Sequence, residues 1–466
     1  MKRTAKIDPQ NFGASKAIAP ELFTKYNVKR GLRNADGTGV VAGITQITDV
    51  HGYSVQDGIF TPEEGKLILR GYDIKDLVEN VVADNRFGYE ELVFLLWSSK
   101  LPAKEDLKTF QKRIDHWRDL PNGFVSGLIM NSPSRNTMNM LARSILLLYA
   151  NDPNADDSSM VHEVDVALSL ISRLPRLAAL GYVAGAHTRD KAMYINPPKE
   201  GLSTAETILF MLRQDMSWRD EEAKMLDIML MLHAEHGGGN NSTFTTRVLT
   251  SSGTDPYSAY AGGVSSLKGS RHGGANIKAE QMQEDLKAHV KDWSDEGQVA
   301  DYLRAVLRRE ANDGSGLIYG MGHAVYTLSD PRAVICKQYA KKLVQGTEYE
   351  ADFNLIEMIE NLAPQLFKEV KGSNKAICAN IDMYSGLVYR AMGIPQGLYT
   401  PLFAVARMAG WAAHRFEEIE TGKRIMRPAY KSLMNTHDYL PLNKRNRIIP
   451  KAMKKRVEYD ADFPND

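Results

Sequence analysis

Two of the chain's eleven histidines lie inside glycine turns, His272 in Gly269-Ser-Arg-His-Gly-Gly274 and His323 in Gly320-Met-Gly-His323. Glycine tolerates positive φ and close backbone approach, so an imidazole held there can face a ligand. Imidazole is also the side chain that gains and loses a proton near neutral pH. Two more histidines, His233 and His236, close an apolar run, and by residue type they read as a core histidine and a helix C-terminal cap. Asp382 stands just before an apolar-periodic stretch from about Tyr384 to Met392, and an N-cap is its competing reading. Arg332, Arg407 and Arg427, taken singly, are ordinary solvated arginines. Gly237-Gly-Gly239 lacks the Lys-Ser/Thr of a nucleotide loop. Together, two imidazoles and a carboxylate are the parts of a general acid/base site.

The elements that must position these groups are mostly helical. A chain of 466 residues exceeds one small core and calls for a large and a smaller domain. Residues 1–36 are polar and irregular, and β-branched Val40–Val50 predicts one or two short strands among glycines. From Asp76 onward helical spacing dominates: Tyr89–Trp97, Asp106–Trp117 and Thr137–Tyr149, then Val161–Leu180 with Pro175 as a kink or restart. Ser217-Trp-Arg-Asp220 predicts a cap for a helix to about His233, apolar on nearly all faces and therefore central. Arg247–Ser251 and Pro256–Leu267 follow as helices, the second ending in the turn of His272. Charged residues 277–310 and amphipathic Leu355–Val370 place a smaller, mobile domain at 277–390, between large-domain parts 1–276 and 391–466. Thr400-Pro401 predicts an N-cap with proline at the first position, and Gly422 a stop.

Composition narrows the function further. Lysine plus arginine number 58 against 57 acids, a net charge of +1 that gives no reason to expect a nucleic-acid partner. Cys336 and Cys378, the only cysteines, fit a reducing, cytoplasmic setting. The basic start of the chain has no apolar core of signal-peptide length, and Asp8 and Glu21 disfavour a transit peptide. The densest apolar run, Met225–Leu232, falls well short of a bilayer span, so no membrane association is expected.

A series of motifs then bears on the site: Arg70-Gly-Tyr-Asp-Ile74, Arg173-Leu-Pro175, Leu232-His-Ala-Glu-His236, Asn241-Ser-Thr-Phe-Thr-Thr-Arg247, Asp255-Pro-Tyr257, His272-Gly-Gly-Ala-Asn276, Gly322-His-Ala-Val-Tyr326 with Asp330-Pro-Arg332, Asn380-Ile-Asp382 with Ser385-Gly386, and Arg427-Pro428. In this order, across nearly the whole chain, they resemble the citrate/2-methylcitrate synthase family. The resemblance implies an all-α, two-domain helical fold with minor strands near the N-terminus, whose small domain closes over substrate. It implies that His272 donates to the thioester carbonyl of acetyl-CoA, that His323 donates to the ketone of oxaloacetate, and that Asp382 is the base. A thioester methyl proton is a weak acid, so a carboxylate removes it only if the forming enolate meets a preorganised donor. By the same resemblance Arg332, Arg407 and His236 hold oxaloacetate, and Arg427 comes from the neighbouring subunit. The assembly implied is a homodimer with shared active sites, its C-terminal arm reaching the partner. No metal or redox cofactor is implied.

The sequence departs from the family's pattern in two places. No basic residue lies in Ala324–Ser329, where the family commonly keeps one for the CoA phosphates; Arg271, Lys368, Lys371 and Lys375, with Asn380, are the candidates for the CoA grip. Asn136 stands where the family often has histidine, with no catalytic consequence expected. The N-terminal portion lacks the extra β-rich segment of the NADH-inhibited hexameric members, which favours a dimer without that inhibition. Within the family, 2-methylcitrate synthase acting on propionyl-CoA is the alternative. From another class, a metal-dependent hydrolase with His233, His236, His272 and Asp382 as ligands is a remote one, since His-Ala-Glu-His is not the HExxH zinc motif.

Overall fold

The computed structural model describes residues 18–34, 36–57, 59–189, 191–373 and 375–445. Residues 1–17, which carry most of the expected polar N-terminus with Asp8, and residues 446–466, the end of the expected arm, lie outside the described residues. The chain divides into two compact units, one made of the terminal segments up to Val41 and from Arg427, the other Ala42–Met426. In the terminal unit, helix α1 (Pro20–Lys25) has proline in its first turn, and the ammonium of Lys431 stands 5.5 Å from the ring of Tyr26. From Arg427 the described segment has no regular secondary structure except a short turn at Leu442–Lys444, and Tyr430, Met434, Tyr439 and Leu442 are all largely exposed.

The large unit opens with an antiparallel hairpin, β1 (Thr48–Gln56) and β2 (Ile59–Leu69), to which the short β3 (Tyr72–Asp73) adds. Thr48 pairs with Leu69 and Gln56 with Ile59, and the register shifts between His51 and Tyr53. The strands thus lie later than the expected Val40–Val50, overlapping it only at Thr48–Val50. Sequence alternation is hidden there by glycines and by Pro62, which β2 accommodates because β3 covers only its far end, at Ile68 and Leu69.

Helices then account for most of the unit: α2 (Ile74–Ala83), α3 (Tyr89–Ser98), α4 (Lys104–His116), α5 (Thr137–Tyr149), α6 (Met160–His187), α7 (Thr204–Leu212), α8 (Asp220–Ala234), α9 (Asn241–Ser251), α10 (Pro256–Leu267), α11 (Ala275–His289), α12 (Glu296–Arg308), α13 (Pro331–Val344), α14 (Glu350–Lys371), α15 (Asp382–Ala391) and α16 (Tyr399–Glu417). The bounds of α5 and α10 are those read from the sequence. Elsewhere side chains redirect the ends. Ser217 does not cap α8, because its hydroxyl bonds Asp215; the carboxylate of Glu222 instead accepts the Arg219 N–H at 2.9 Å. Helix α9 starts at Asn241 rather than Arg247, because the Asn240 side chain accepts the Thr243 N–H at 3.0 Å. Helix α16 starts at Tyr399, ahead of the expected Thr400 cap, and Thr400 spends its hydroxyl on the carbonyl of Gly273.

Helix α6 runs on through Pro175, so the chain does not restart there. By length and composition it could cross a bilayer, contrary to the expectation that no stretch approaches that length, yet 83% of its apolar window is buried inside the protein. It is packed against α5, α7 and α16 as a core helix. Helices α8 and α16 are buried on all faces and pack against each other at the centre. Their approach passes over Gly410, where an added Cβ would sit 2.6 Å from the carbonyl of Ala234 and would overlap the Glu235 carboxylate. Gly410→Ala is therefore expected to cost about 1–3 kcal/mol of stability in urea unfolding, the usual range for overpacking a rigid core.

Candidate active site

The end of α8 and the middle of α16 build the floor. After Ala234 the chain turns extended at Glu235 and left-handed at Gly237, which carries His236 out of the helix axis. His236 therefore does not cap α8. Its ring meets His323 edge-on at 5.0 Å between centroids, and its Nε2 is 3.3 Å from the Tyr326 hydroxyl. His233 stays in the core with its ring 4.4 Å from that of Phe403. The turn itself is pinned by Glu235, whose carboxylate accepts from Thr48, Gly237 N–H and the buried His414.

Arg407 enters from α16 with 1% of its surface exposed. Its Nε donates to the carbonyl of His233 at 2.6 Å, its guanidinium lies 4.8 Å over Phe403, and its Nη2 is buried with no partner. Burial, only partly offset by Glu235, lowers its pKa to about 10, so it remains cationic at neutral pH. Arg332 is buried too, but paired: Nε and Nη2 hold both oxygens of Asp330 at 3.0 and 2.7 Å.

Two glycine turns deliver the other imidazoles, for different reasons. At Gly273 the need is space, since a Cβ would stand 2.6 Å from the Leu267 carbonyl. At Gly320 and Gly322 it is conformation, both having φ of +86°. His272 Nε2 accepts the Ser242 N–H at 3.3 Å and lies 3.0 Å from the Ser242 hydroxyl, which is itself held by Trp411. An acceptor at Nε2 puts the ring proton on Nδ1. His323 is set the other way: the N–H groups of Val325 and Tyr326 both point at Nδ1 from 3.1 Å, so its proton is on Nε2.

The electrostatics keep the neighbouring imidazoles neutral. Burial, then Arg407, lowers His272 to about 4. Burial, then Arg332 and other nearby groups, holds His236 and His233 well below the usual imidazole range. Asp382 moves the opposite way, raised to about 6 by burial against the pull of Arg332. It is the first residue of α15, two positions before the expected start, and its side chain does not cap that helix. Asn380 fastens its surroundings, accepting the Asp382 N–H at 3.0 Å and donating to the Gly322 carbonyl at 2.8 Å.

His236, His272, His323, Arg332, Arg407 and Asp382 are thus linked through shared neighbours in one cluster. The remaining candidates lie elsewhere. Arg271, Lys368, Lys371 and Lys375 are exposed, with the Lys371 ammonium on the carbonyl of Leu307. The Asn380 side chain is spent between Gly322 and Asp382. Arg427 is exposed at the start of the terminal unit's second segment. Among the described residues no group of three or more His, Cys, Asp or Glu side chains is arranged to hold a metal ion, the set His233, His236, His272 and Asp382 included. Sequence reasoning gave no role to Tyr326, Phe403 or Ser242, which contact these histidines; Tyr326 and Ser242 lie within the motifs Gly322–Tyr326 and Asn241–Arg247, and Phe403 carried no local signal.

Residues 34–429 match the family model for the citrate synthase C-terminal domain. The citrate synthase of Haloferax volcanii is 32% identical over 422 residues, covering 90% of this chain and 99% of that protein. The 2-methylcitrate synthase 2 of Corynebacterium glutamicum is 29% identical over 427 residues, covering 91% and 99%. Among solved structures, the ternary complex of carboxymethyl coenzyme A and oxaloacetate with citrate synthase from Thermoplasma acidophilum superimposes with a TM-score of 0.72 at 25% identity, covering 90% of this chain and 99% of that one.

The unpaired charge of Arg407 makes a direct prediction. Removing the charge relieves its cost of burial but gives up the Nε bond to the His233 carbonyl, and a hydrogen bond to a charged group is worth about 1.5–3 kcal/mol. Arg407→Met should therefore melt close to the wild-type temperature in thermal unfolding, the relieved charge and the lost bond offsetting each other.

Proposed function

The chain belongs to the citrate synthase family, an enzyme family of condensing acyltransferases, and from that premise we propose that it condenses acetyl-CoA with oxaloacetate through the six-residue cluster. The observation that carries the reading is Arg407, a buried guanidinium with a spare donor face and no counter-ion on it. An uncompensated buried charge costs several kcal/mol, and a carboxylate of the substrate relieves that cost. Arg332, oriented by Asp330, and His236 complete the grip on oxaloacetate.

In the proposed reaction Asp382 removes a methyl proton of acetyl-CoA while His272 Nδ1–H donates to the thioester oxygen as it gains enolate charge. His323 Nε2–H donates to the ketone oxygen of oxaloacetate, making its carbon the electrophile. Attack gives citryl-CoA, and water cleaves it to citrate and CoA. The tautomers support these roles, since each ring's backbone contact leaves the opposite nitrogen as the donor. Neutral imidazoles suit the task, because each carries a single N–H to aim and stabilises charge without first surrendering a proton. The raised pKa of Asp382 brings its basicity toward the working pH. The steps draw on side chains only, with no metal or redox group required. The setting proposed is a reducing cytoplasm, in keeping with both cysteines being buried free thiols.

Assembly and closure extend the same reading. A homodimer in which Arg427 enters the partner's site is supported by that segment's lack of regular secondary structure and its exposed Tyr430, Met434, Tyr439 and Leu442. Residues 277–390 form the closing domain, its helices α11 to α15 packing on one another. Exposed Arg271, Lys368, Lys371 and Lys375 are the cations available to the CoA phosphates. The 2-methylcitrate synthase relatives keep propionyl-CoA as a second substrate, and one methyl group is worth only about 10–200-fold in discrimination.

Thiol release from acetyl-CoA with oxaloacetate tests the proposal; no release by the purified wild type refutes it. Comparison with propionyl-CoA in the same assay should show both substrates turning over, within about 200-fold of each other. Because Asp382 must be ionised, kcat should fall as pH drops through about 6, and a profile flat from pH 7 to pH 5 would contradict the assignment. Asp382→Asn should lower kcat by about 10²–10⁴-fold. The carboxyl's folded pKa lies above its ordinary value, so its ionisation destabilises the fold as pH rises through about 6. The Asn variant should therefore be the more stable protein at pH 8, with the advantage shrinking toward pH 5, as read by thermal unfolding.

A further inference from the structure

The segment Val325–Pro331 joins His323 to Arg332, and one face of the β1–β2 hairpin lies directly on it. The buried Thr327 hydroxyl is shared between the carbonyls of Gly52 on β1 and Glu63 on β2. Ser329 accepts the Gly65 N–H at 3.1 Å and donates to the Glu64 carboxylate. Two glycines allow the approach. A Cβ on Gly52 would stand 2.8 Å from the Cα of Tyr326, and one on Gly65 would overlap the Ser329 carbonyl and stand 3.0 Å from Pro331 Cδ. Gly52 also falls where the strand register shifts, between His51 and Tyr53, so the hairpin bends at the point of contact. Across the same hairpin the His51 ring and the Glu63 carboxylate meet in a hydrogen bond of 2.5 Å. Nothing in the catalytic chemistry uses any of these residues.

From this geometry we infer that the hairpin is a positioning clamp for the active site, with Thr327 as its central positioning residue. The logic is one of lengths. Tyr326 stacks on His323 with ring centroids 4.6 Å apart, supplies one of the two N–H groups that fix its tautomer, and lies next to Thr327 in the chain. At the other end, Asp330 orients Arg332 through two hydrogen bonds. The segment between has no regular secondary structure of its own, and the hairpin's two strand carbonyls and the Gly65 N–H tie it down through the Thr327 and Ser329 hydroxyls. A shift of this segment moves the ketone donor and a carboxylate-binding arginine together. The hairpin thus acts on oxaloacetate and on the approach of His323 to it, and little on acetyl-CoA.

The inference rests on the citrate synthase reading, and its test separates the two. Thr327→Val keeps shape and burial but strands the two carbonyls, whereas Thr327→Ser keeps the hydroxyl. The wild type, both variants and Gly65→Ala are compared for kcat, for the KM of each substrate and for thermal unfolding. Thr327→Val should lose about tenfold to a hundredfold in kcat/KM for oxaloacetate, the scale of a sub-ångström to 1 Å misplacement, with the acetyl-CoA KM nearly unchanged. Thr327→Ser should restore most of the loss, and Gly65→Ala should fail in the same direction as Thr327→Val. An unchanged Thr327→Val enzyme, or a Thr327→Ser enzyme as impaired as Thr327→Val, overturns the clamp. A wild type that releases no thiol overturns the reading beneath it instead. If Thr327→Val does not fold, Ser329→Ala, at a half-buried position, decides by the same substrate split.

Discussion

The site depends on one interaction, the hydrogen bond from Arg407 Nε to the carbonyl of His233. It joins the last turn of α8 to the middle of α16 and holds a cation in the interior without giving it a full counter-charge. Much of the surrounding order follows from that. The cation and the low-dielectric setting press His272, His233 and His236 into their neutral forms. Neutral rings can then be sorted into tautomers by single backbone contacts, as at Ser242 for His272 and at Val325 and Tyr326 for His323. Glu235, held low by His414 against the cost of burial, offsets part of the positive field from behind. Glu235 is bonded to Thr48, Gly237 and His414 rather than to Arg407, whose Nη2 stays unpaired.

The second theme is how a helical protein fixes groups that lie on its loops. His236, His272 and His323 all stand just beyond helix ends or inside turns, where a backbone has few partners of its own. Each is tied by contacts from a remote part of the chain: Glu235 with His414, Gly273 with Thr400, Gly322 with Asn380. The Asn380 side chain is the most economical of these ties, since one amide group serves both the turn that carries His323 and the start of the helix that carries Asp382. Helices supply rigidity, and single side-chain bonds transfer it to the turns.

Which parts of this were legible in the sequence follows from the range of the forces involved. Helix α5 and helix α10 are bounded by local signals, an Asn cap and an Asp-Pro start, and their limits could be read directly. The glycine turns of His272 and His323 were legible as unusual backbone, and the ordered motifs as a family resemblance. The ends of α8, α9 and α16 were not, because Glu222, Asn240 and the Gly273 contact of Thr400 decide them through side chains that do not match the expected cap. The hairpin was placed too early because Gly52, Gly65 and Pro62 break the alternation that announces a strand; Gly52 and Gly65 fit against Tyr326, Ser329 and Pro331. Phe403 and Ser242 meet His233 and His272 across long stretches of chain, and spacing cannot reveal those contacts. The role of Arg407 is of the same kind: an arginine in an apolar helix is legible, but its missing partner is a property of the folded interior.

The central claim is that the site holds two neutral imidazoles of opposite tautomer beside an under-compensated guanidinium. Nitrogen-15 NMR of histidine-labelled protein at pH 7 tests it most directly. The account predicts a ring protonated only at Nδ1 for His272 and only at Nε2 for His323. A doubly protonated ring at either position, or the same tautomer at both, would contradict it.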